Sequence, residues 1–269
     1  MNEIIVNEND FSLLSLVPAV LRARDYRLYT NNGKRMVDLW LNGGSAVLGH
    51  TPPSFLKEIK NTASRGLYAP FPHFLEKRYI KALSGIFPGR NFRLYAAPPP
   101  ELENLILQGK AAIWRPYEQN NNEVLVLVVP GIQGWRAVGK LWLPLGLCVL
   151  AIDPDFEKNT KLPPGDFLPP VLLAAAARGL YDLIAAEPLR SKPNFPKIAK
   201  ALKKNKGSEF WQQQGIYLVP RNTQTSEEWA LLFKQFLEAG FLLPPVPSQP
   251  LVLPGILSPG EEAKLAAIL

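Results

Sequence analysis

The sequence predicts an α/β protein, and three observations carry that expectation. Two continuous apolar runs, Glu123–Val129 (EVLVLVV) and Leu147–Asp153 (LCVLAID), have the length and β-branching of strands buried on both faces, the kind found in a parallel sheet. Amphipathic segments with helix start and stop signals lie between and after them. Near the beginning, Tyr26–Thr30 and Lys34–Trp40 flank Asn31-Asn32-Gly33, a turn that supplies positive backbone angles to a hairpin. The chain has 269 residues, 47% hydrophobic and 20% charged, so it can bury a core and is not globally disordered. Its 27 prolines must sit in turns and at element ends, which predicts many short elements with stiff connections.

The elements follow in order. After the hairpin, Thr51 caps a helix over Pro53–Gly66, with proline in its first turn and Gly66 as its stop. A second helix spans Phe74–Ile86, with Leu75, Tyr79, Leu83 and Ile86 on one face, and ends before Phe87-Pro88-Gly89. Asn91–Ala97 and Ala111–Tyr117 read as strands, with a short helix over Pro100–Gln108 between them. Strand, helix and three further strands in this pattern make a small α/β sheet. The last third is mostly helical: an apolar helix from about Pro169 to Ala186, an amphipathic one over Asn194–Asn205, and a serine-capped one over Ser226–Gly240. Gly215–Pro220, Phe241–Pro245 and Pro250–Gly255 are short strands. Ser258 and Glu261 have capping-box spacing, with Pro259 at the first helical position.

Composition excludes several function classes. The net charge of +7 is spread along the chain, and its densest run, Lys197–Gly207, reads as the solvated face and end of a helix. No recognition helix, zinc finger or aromatic platform motif accompanies it, which argues against nucleic-acid binding. The single cysteine, Cys148, excludes an internal disulfide, fits a reducing compartment, and reads as a buried inert thiol. His50 and His73 are the only histidines, too few with Cys148 for a metal site. His50 is expected to bond to backbone at its turn. A triad of Ser45, His50 and Asp38 lacks the G-x-S-x-G elbow. The opening MNEIIVNEND is not a signal peptide, and no apolar run reaches membrane-span length. A cytoplasmic protein is expected.

Tyr26–Pro53 carries a resemblance. "TNNGKRMVD" ending on Asp38, the small-residue patch after it, and "LGHTPP" with Gly49, His50 and Pro52 or Pro53 are similar to the opening of class III pyridoxal-phosphate (PLP) aminotransferases, most of all glutamate-1-semialdehyde aminomutases. "RGLYAPFPHFLEKRYIKALSGIFPG" resembles the family's next helix. "AAAARGLYDLI", "WQQQGIYLVP" and "FKQFLEAGFLLPPVPSQPLVL" resemble its C-terminal order, so about two thirds of the chain takes part. The resemblance implies a reduced aminotransferase-like fold: a small central sheet plus an α+β subdomain formed by the N- and C-terminal segments. The expected divisions are 1–75 and 166–269 for that subdomain and 76–165 for a shortened large domain. It also implies a homodimer, because the family's N-terminal segment and large domain build an extensive two-fold interface.

The centre departs from the family. PLP chemistry needs a lysine amine, an aspartate on the pyridine nitrogen, and backbone amides for the phosphate. Where the family has its phosphate loop, this chain has Ala96-Ala97-Pro98-Pro99-Pro100, and three prolines bring no amide hydrogen. Pro130 and Gly131 stand where two acids belong, followed by a retained Gln133. Lys140 aligns either with the catalytic lysine or with a non-catalytic one. Tyr117 falls where the family has a ring-stacking residue. Gly43, Gly44 and Ser45 either line a pocket or let the hairpin bend. The expected function is therefore that of a degenerate homologue without PLP, a dimeric protein binding another protein or a small amino-acid-like ligand. The alternatives are a working PLP-dependent aminotransferase or aminomutase using Lys140, and a basic nucleic-acid-binding module.

Overall fold

The computed structural model describes residues 10–138, 141–203 and 209–269. The chain forms two compact units: one joins the segment up to Thr51 with Pro188–Leu269, the other is Pro52–Glu187. Both chain ends thus build one unit. The units change at Thr51/Pro52 and Glu187/Pro188 rather than near residues 75 and 165, so residues 52–75 and 166–187 belong to the central unit.

The terminal unit begins with a 3-10 turn, Asp10–Leu16, and an antiparallel meander of β1 (Val20–Arg24), β2 (Arg27–Thr30) and β3 (Arg35–Asp38). Gly33 sits at φ +76° in the turn between β2 and β3, and the Thr30 hydroxyl lies within donating distance of both Asn32 Oδ1 (2.7 Å) and Lys34 O (2.8 Å), giving its one hydrogen to either, which closes the turn. Leu28 and Met36 face the core from this meander.

In the central unit, α1 (Pro53–Ala63) starts after Pro52, with no side-chain cap. Thr51 is not the cap. Prolines at 52 and 53 remove two amides from the helix start, and Gly66 falls beyond the helix in a following turn. On α2 (Leu75–Ile86), Leu75, Tyr79, Ala82 and Leu83 are buried. Next come β4 (Asn91–Tyr95), α3 (Glu101–Leu107), β5 (Ala111–Trp114) and β6 (Val124–Leu127). A hairpin of β7 (Gly134–Val138) and β8 (Leu141–Leu145) precedes β9 (Cys148–Ile152), α4 (Pro154–Asn159) and α5 (Pro170–Arg190). The sheet order is β4-β9-β6-β5. β5 and β6 are parallel, whereas β9 runs antiparallel to both β6 and β4. β9 was expected to lie in a parallel setting. Its apolarity on both faces reports burial and does not report direction.

The chain then returns to the terminal unit through α6 (Pro196–Leu202), β10 (Trp211–Gln214), β11 (Tyr217–Pro220), α7 (Ser226–Glu238), β12 (Phe241–Leu242), β13 (Leu251–Val252) and α8 (Pro259–Ile268). β12 pairs parallel to β3, and β11 lies between β10 and β13. Trp229, Phe233 and Phe236 of α7 fill a core with Trp211, Phe241 and Leu265. Part of the lysine-rich run, residues 204–207, lies outside the described residues.

Candidate functional site

β4, β5 and β6 run in one direction, so their carboxyl ends lie along one edge of the central sheet. That edge is where ligands bind in open α/β sheets. It gathers most of the sequence-singled residues of this unit.

After β4, the Ala96 amide donates to Asp166 Oδ2 at 2.9 Å, and the Ala96 carbonyl accepts from Gly146 N at 2.7 Å. Pro98, Pro99 and Pro100 follow, and Pro100 occupies the N-cap of α3. Three successive positions therefore offer no N–H. The first turn of α3 carries Glu101 and Glu103, whose charges oppose any anion placed there.

After β5 the chain turns sharply. Tyr117 has φ +68°, a left-handed conformation that costs a non-glycine residue strain. Its hydroxyl donates to Leu183 O of α5 at 3.1 Å. Glu118 closes the turn: its carboxylate accepts from Arg115 N at 3.0 Å, and its carbonyl accepts from Trp114 Nε1 at 2.8 Å. Burial pushes the Glu118 carboxyl above its usual range, against the pull of Arg115.

After β6, Val128 and Val129 lead into buried Pro130. α5 passes so close that a Cβ on Gly179 would lie 2.7 Å from both Pro130 Cβ and Pro130 O. Gln133 is 7% exposed, and its amide serves backbone at the strand ends. Nε2 donates to Leu147 O at 2.6 Å, and Oε1 accepts from Val129 N at 3.3 Å. At the start of β9, burial pushes the Cys148 thiol up to about 12, so it stays protonated and unreactive at neutral pH. Lys140 lies outside the described residues.

Gly43, Gly44 and Ser45 lie in the terminal unit. Leu41, Asn42, Gly43 and Gly44 all take positive φ, at 44°, 49°, 68° and 108°. The Ser45 hydroxyl bonds at Asn42 O and accepts from Asn42 Nδ2, so it is turned to its own loop and not to His50. His50 does not use backbone through its ring, as had been expected. Its Nε2 lies 2.9 Å from Asp38 Oδ2, while Asp38 Oδ1 accepts from Trp40 N and Leu41 N. The Asp38–His50 pair thus pins the left-handed loop. Sequence reasoning had no signal for Arg190, a buried arginine whose Nε and Nη2 donate to Val47 O and Leu253 O. Among the described residues there is no cluster of three His, Cys, Asp or Glu side chains fit for a metal, and no helix long and apolar enough to cross a membrane.

No family model matches the sequence. An uncharacterized protein of Treponema pallidum is 26% identical over 87% of this chain and 88% of its own length. One of Borreliella burgdorferi is 32% identical over 41% of this chain and 42% of its own. Among solved structures, an ornithine aminotransferase from Plasmodium yoelii covers 93% of this chain and 92% of its own at TM-score 0.64 and 11% identity. A glutamate-1-semialdehyde aminomutase from Pseudomonas aeruginosa covers 93% and 86% at TM-score 0.62 and 12% identity. An acetylornithine aminotransferase from Elizabethkingia anophelis covers 93% and 92% at TM-score 0.58 and 11% identity. At these identities the likeness establishes the fold, which is that of these aminotransferases.

Proposed function

We propose that this chain keeps the aminotransferase fold without the PLP reaction and works as a dimeric binding or interaction protein. One observation carries the reading. The strand-to-helix turn after β4, where a phosphate would need amide donors, consists of Pro98, Pro99 and Pro100 followed by Glu101 and Glu103. A phosphate there would meet two carboxylates and no N–H from the prolines. Two further features support it. Pro130 stands at the end of β6 and cannot ionise to hold a pyridine nitrogen. Gln133 spends its amide on Leu147 and Val129. The described residues therefore do not fit PLP. A buried Cys148 is consistent with a reducing compartment.

The competing reading is a working enzyme that attaches PLP through Lys140. The test is incubation of the full chain with excess PLP, borohydride reduction, desalting and intact-mass measurement. We expect the adduct mass distribution to be the same in the wild type and in Lys140→Ala, since only exposed lysines are then labelled. An adduct that disappears in Lys140→Ala would overturn the proposal.

A further inference from the structure

The arginines of the first meander are scattered in sequence but gathered by strand register. Arg22 pairs with Tyr29, Tyr29 pairs with Arg35, and Arg24 pairs with Arg27. Directly opposed residues share a sheet face. One face of β1–β2–β3 therefore presents Arg22, Tyr29 and Arg35 in one row and Arg24, Arg27 and the buried Val37 in the next. Strand spacing is about 4.8 Å, so the backbone positions of the four arginines span about 10 Å across the three strands. The opposite face carries Ala23, Leu28 and Met36 into the core.

The charges on this face are not neutralised in place. Arg27 is the exception, held by Glu261 through two bonds of 2.9 and 2.6 Å. Glu261 also reaches Arg35, but at 3.4 Å and with the Arg35 side chain 55% exposed. Arg24 meets Asp25 at 3.8 Å with both side chains mostly exposed, a pair of little energetic weight. Arg22 lies over the Tyr29 ring, 4.3 Å from its centroid. Arg22, Arg24 and Arg35 thus remain available around a guanidinium–aromatic stack.

We propose that this face is a docking surface for single-stranded nucleic acid. It grips the phosphodiester backbone through Arg22, Arg24 and Arg35, with bases laid against the Arg22–Tyr29 stack and no reading of sequence. Guanidinium groups suit phosphate oxygens, and a stacked π surface accepts any base. An anionic membrane is the competing occupant, because Val20 and Leu21 of β1 are also exposed. Two aliphatic tips give little area for insertion, which favours nucleic acid. The inference concerns a surface of the terminal unit and is independent of whether PLP binds the chain.

The test is fluorescence anisotropy of the full chain with a labelled oligothymidylate of about 20 nucleotides, long enough for the site sizes of such platforms. Three phosphate contacts on a single strand predict a log–log salt slope of about −2, or about a twentyfold loss between about 50 and 200 mM salt. Arg22→Gln/Arg24→Gln should bring the slope to about −0.7. Lys57→Gln/Lys60→Gln removes the same charge from exposed positions on α1 and should leave affinity within about twofold, since it touches no phosphate contact. No binding, or equal losses in both variants, would overturn the proposal. So would binding to phosphatidylcholine–phosphatidylserine vesicles with none to the oligonucleotide.

Discussion

Gly179 shows how a single missing Cβ sets a packing distance. Replacing glycine by alanine in a helix interior ordinarily stabilises by about 1 kcal/mol. Here the added Cβ would meet Pro130 Cβ and O at 2.7 Å, and carbonyl backbone cannot yield as a flexible side chain can. Overpacking of this kind costs about 1–3 kcal/mol, so Gly179→Ala should lower the urea midpoint. A raised midpoint would show that α5 can move away from β6. Glu261 gives a second test. Burial pushes its carboxyl up, but bonds from Arg27 and Ser258 outweigh this and hold it at about 2. A depressed carboxyl contributes stability that is complete above pH about 4.5 and is lost as pH falls toward 2. Discounted for solvent screening, the contribution is about 1 kcal/mol. Glu261→Gln should lose it at neutral pH and flatten the stability curve over that acid window. A parallel downward shift at every pH would remove the assignment. At this scale the prolines at 98–100 and 130 were legible, since they are visible as residue types. The arginine face was not, because opposition across strands is a property of pairing and not of any residue.

Elements were legible where their chemistry is local. The Ser258–Glu261 capping box of α8 forms as its spacing dictates, with Pro259 in the first turn. α7 differs by one residue. Ser226 was expected as its cap, yet Thr225 caps it, accepting from Glu228 N while the Glu228 carboxylate accepts from Thr225 N. The two hydroxyls are adjacent, and the position of the acid three residues on decides between them. Thr225→Ala should therefore cost about 1 kcal/mol in chemical denaturation and Ser226→Ala close to nothing. Equal costs would contradict the assigned cap. The β7–β8 hairpin went unread because Pro144 interrupts its second strand, and proline speaks against a central strand. In a two-stranded ladder every strand is an edge, so Pro144 is tolerated opposite Trp135.

At the scale of the molecule, Phe241 and Leu242 pair with Val37 and Asp38, some two hundred residues away. No local pattern contains that pairing. The resemblance led to an expectation that the first and last segments share a subdomain, but not to this strand pairing, which only the structure gives. The same resemblance led to an expected homodimer, for which the central unit supplies a physical reason. Tyr68, Phe71 and Phe74 are 70%, 53% and 65% exposed in a proline-containing segment, and Phe167 of the same unit is 59% exposed. Three large aromatic side chains left in water within the segment Tyr68–Phe74 are more than scattered surface apolarity requires. A two-fold partner can cover such a patch with the patch itself, so one sequence solves both sides. We therefore expect a dimeric mass by light scattering at micromolar concentration. Phe71→Ser/Phe74→Ser should shift it toward monomer without altering the circular dichroism, because neither side chain belongs to the core. A wild-type mass that stays monomeric at every concentration would defeat the dimer, and the aromatic segment would then have to be explained by a different partner.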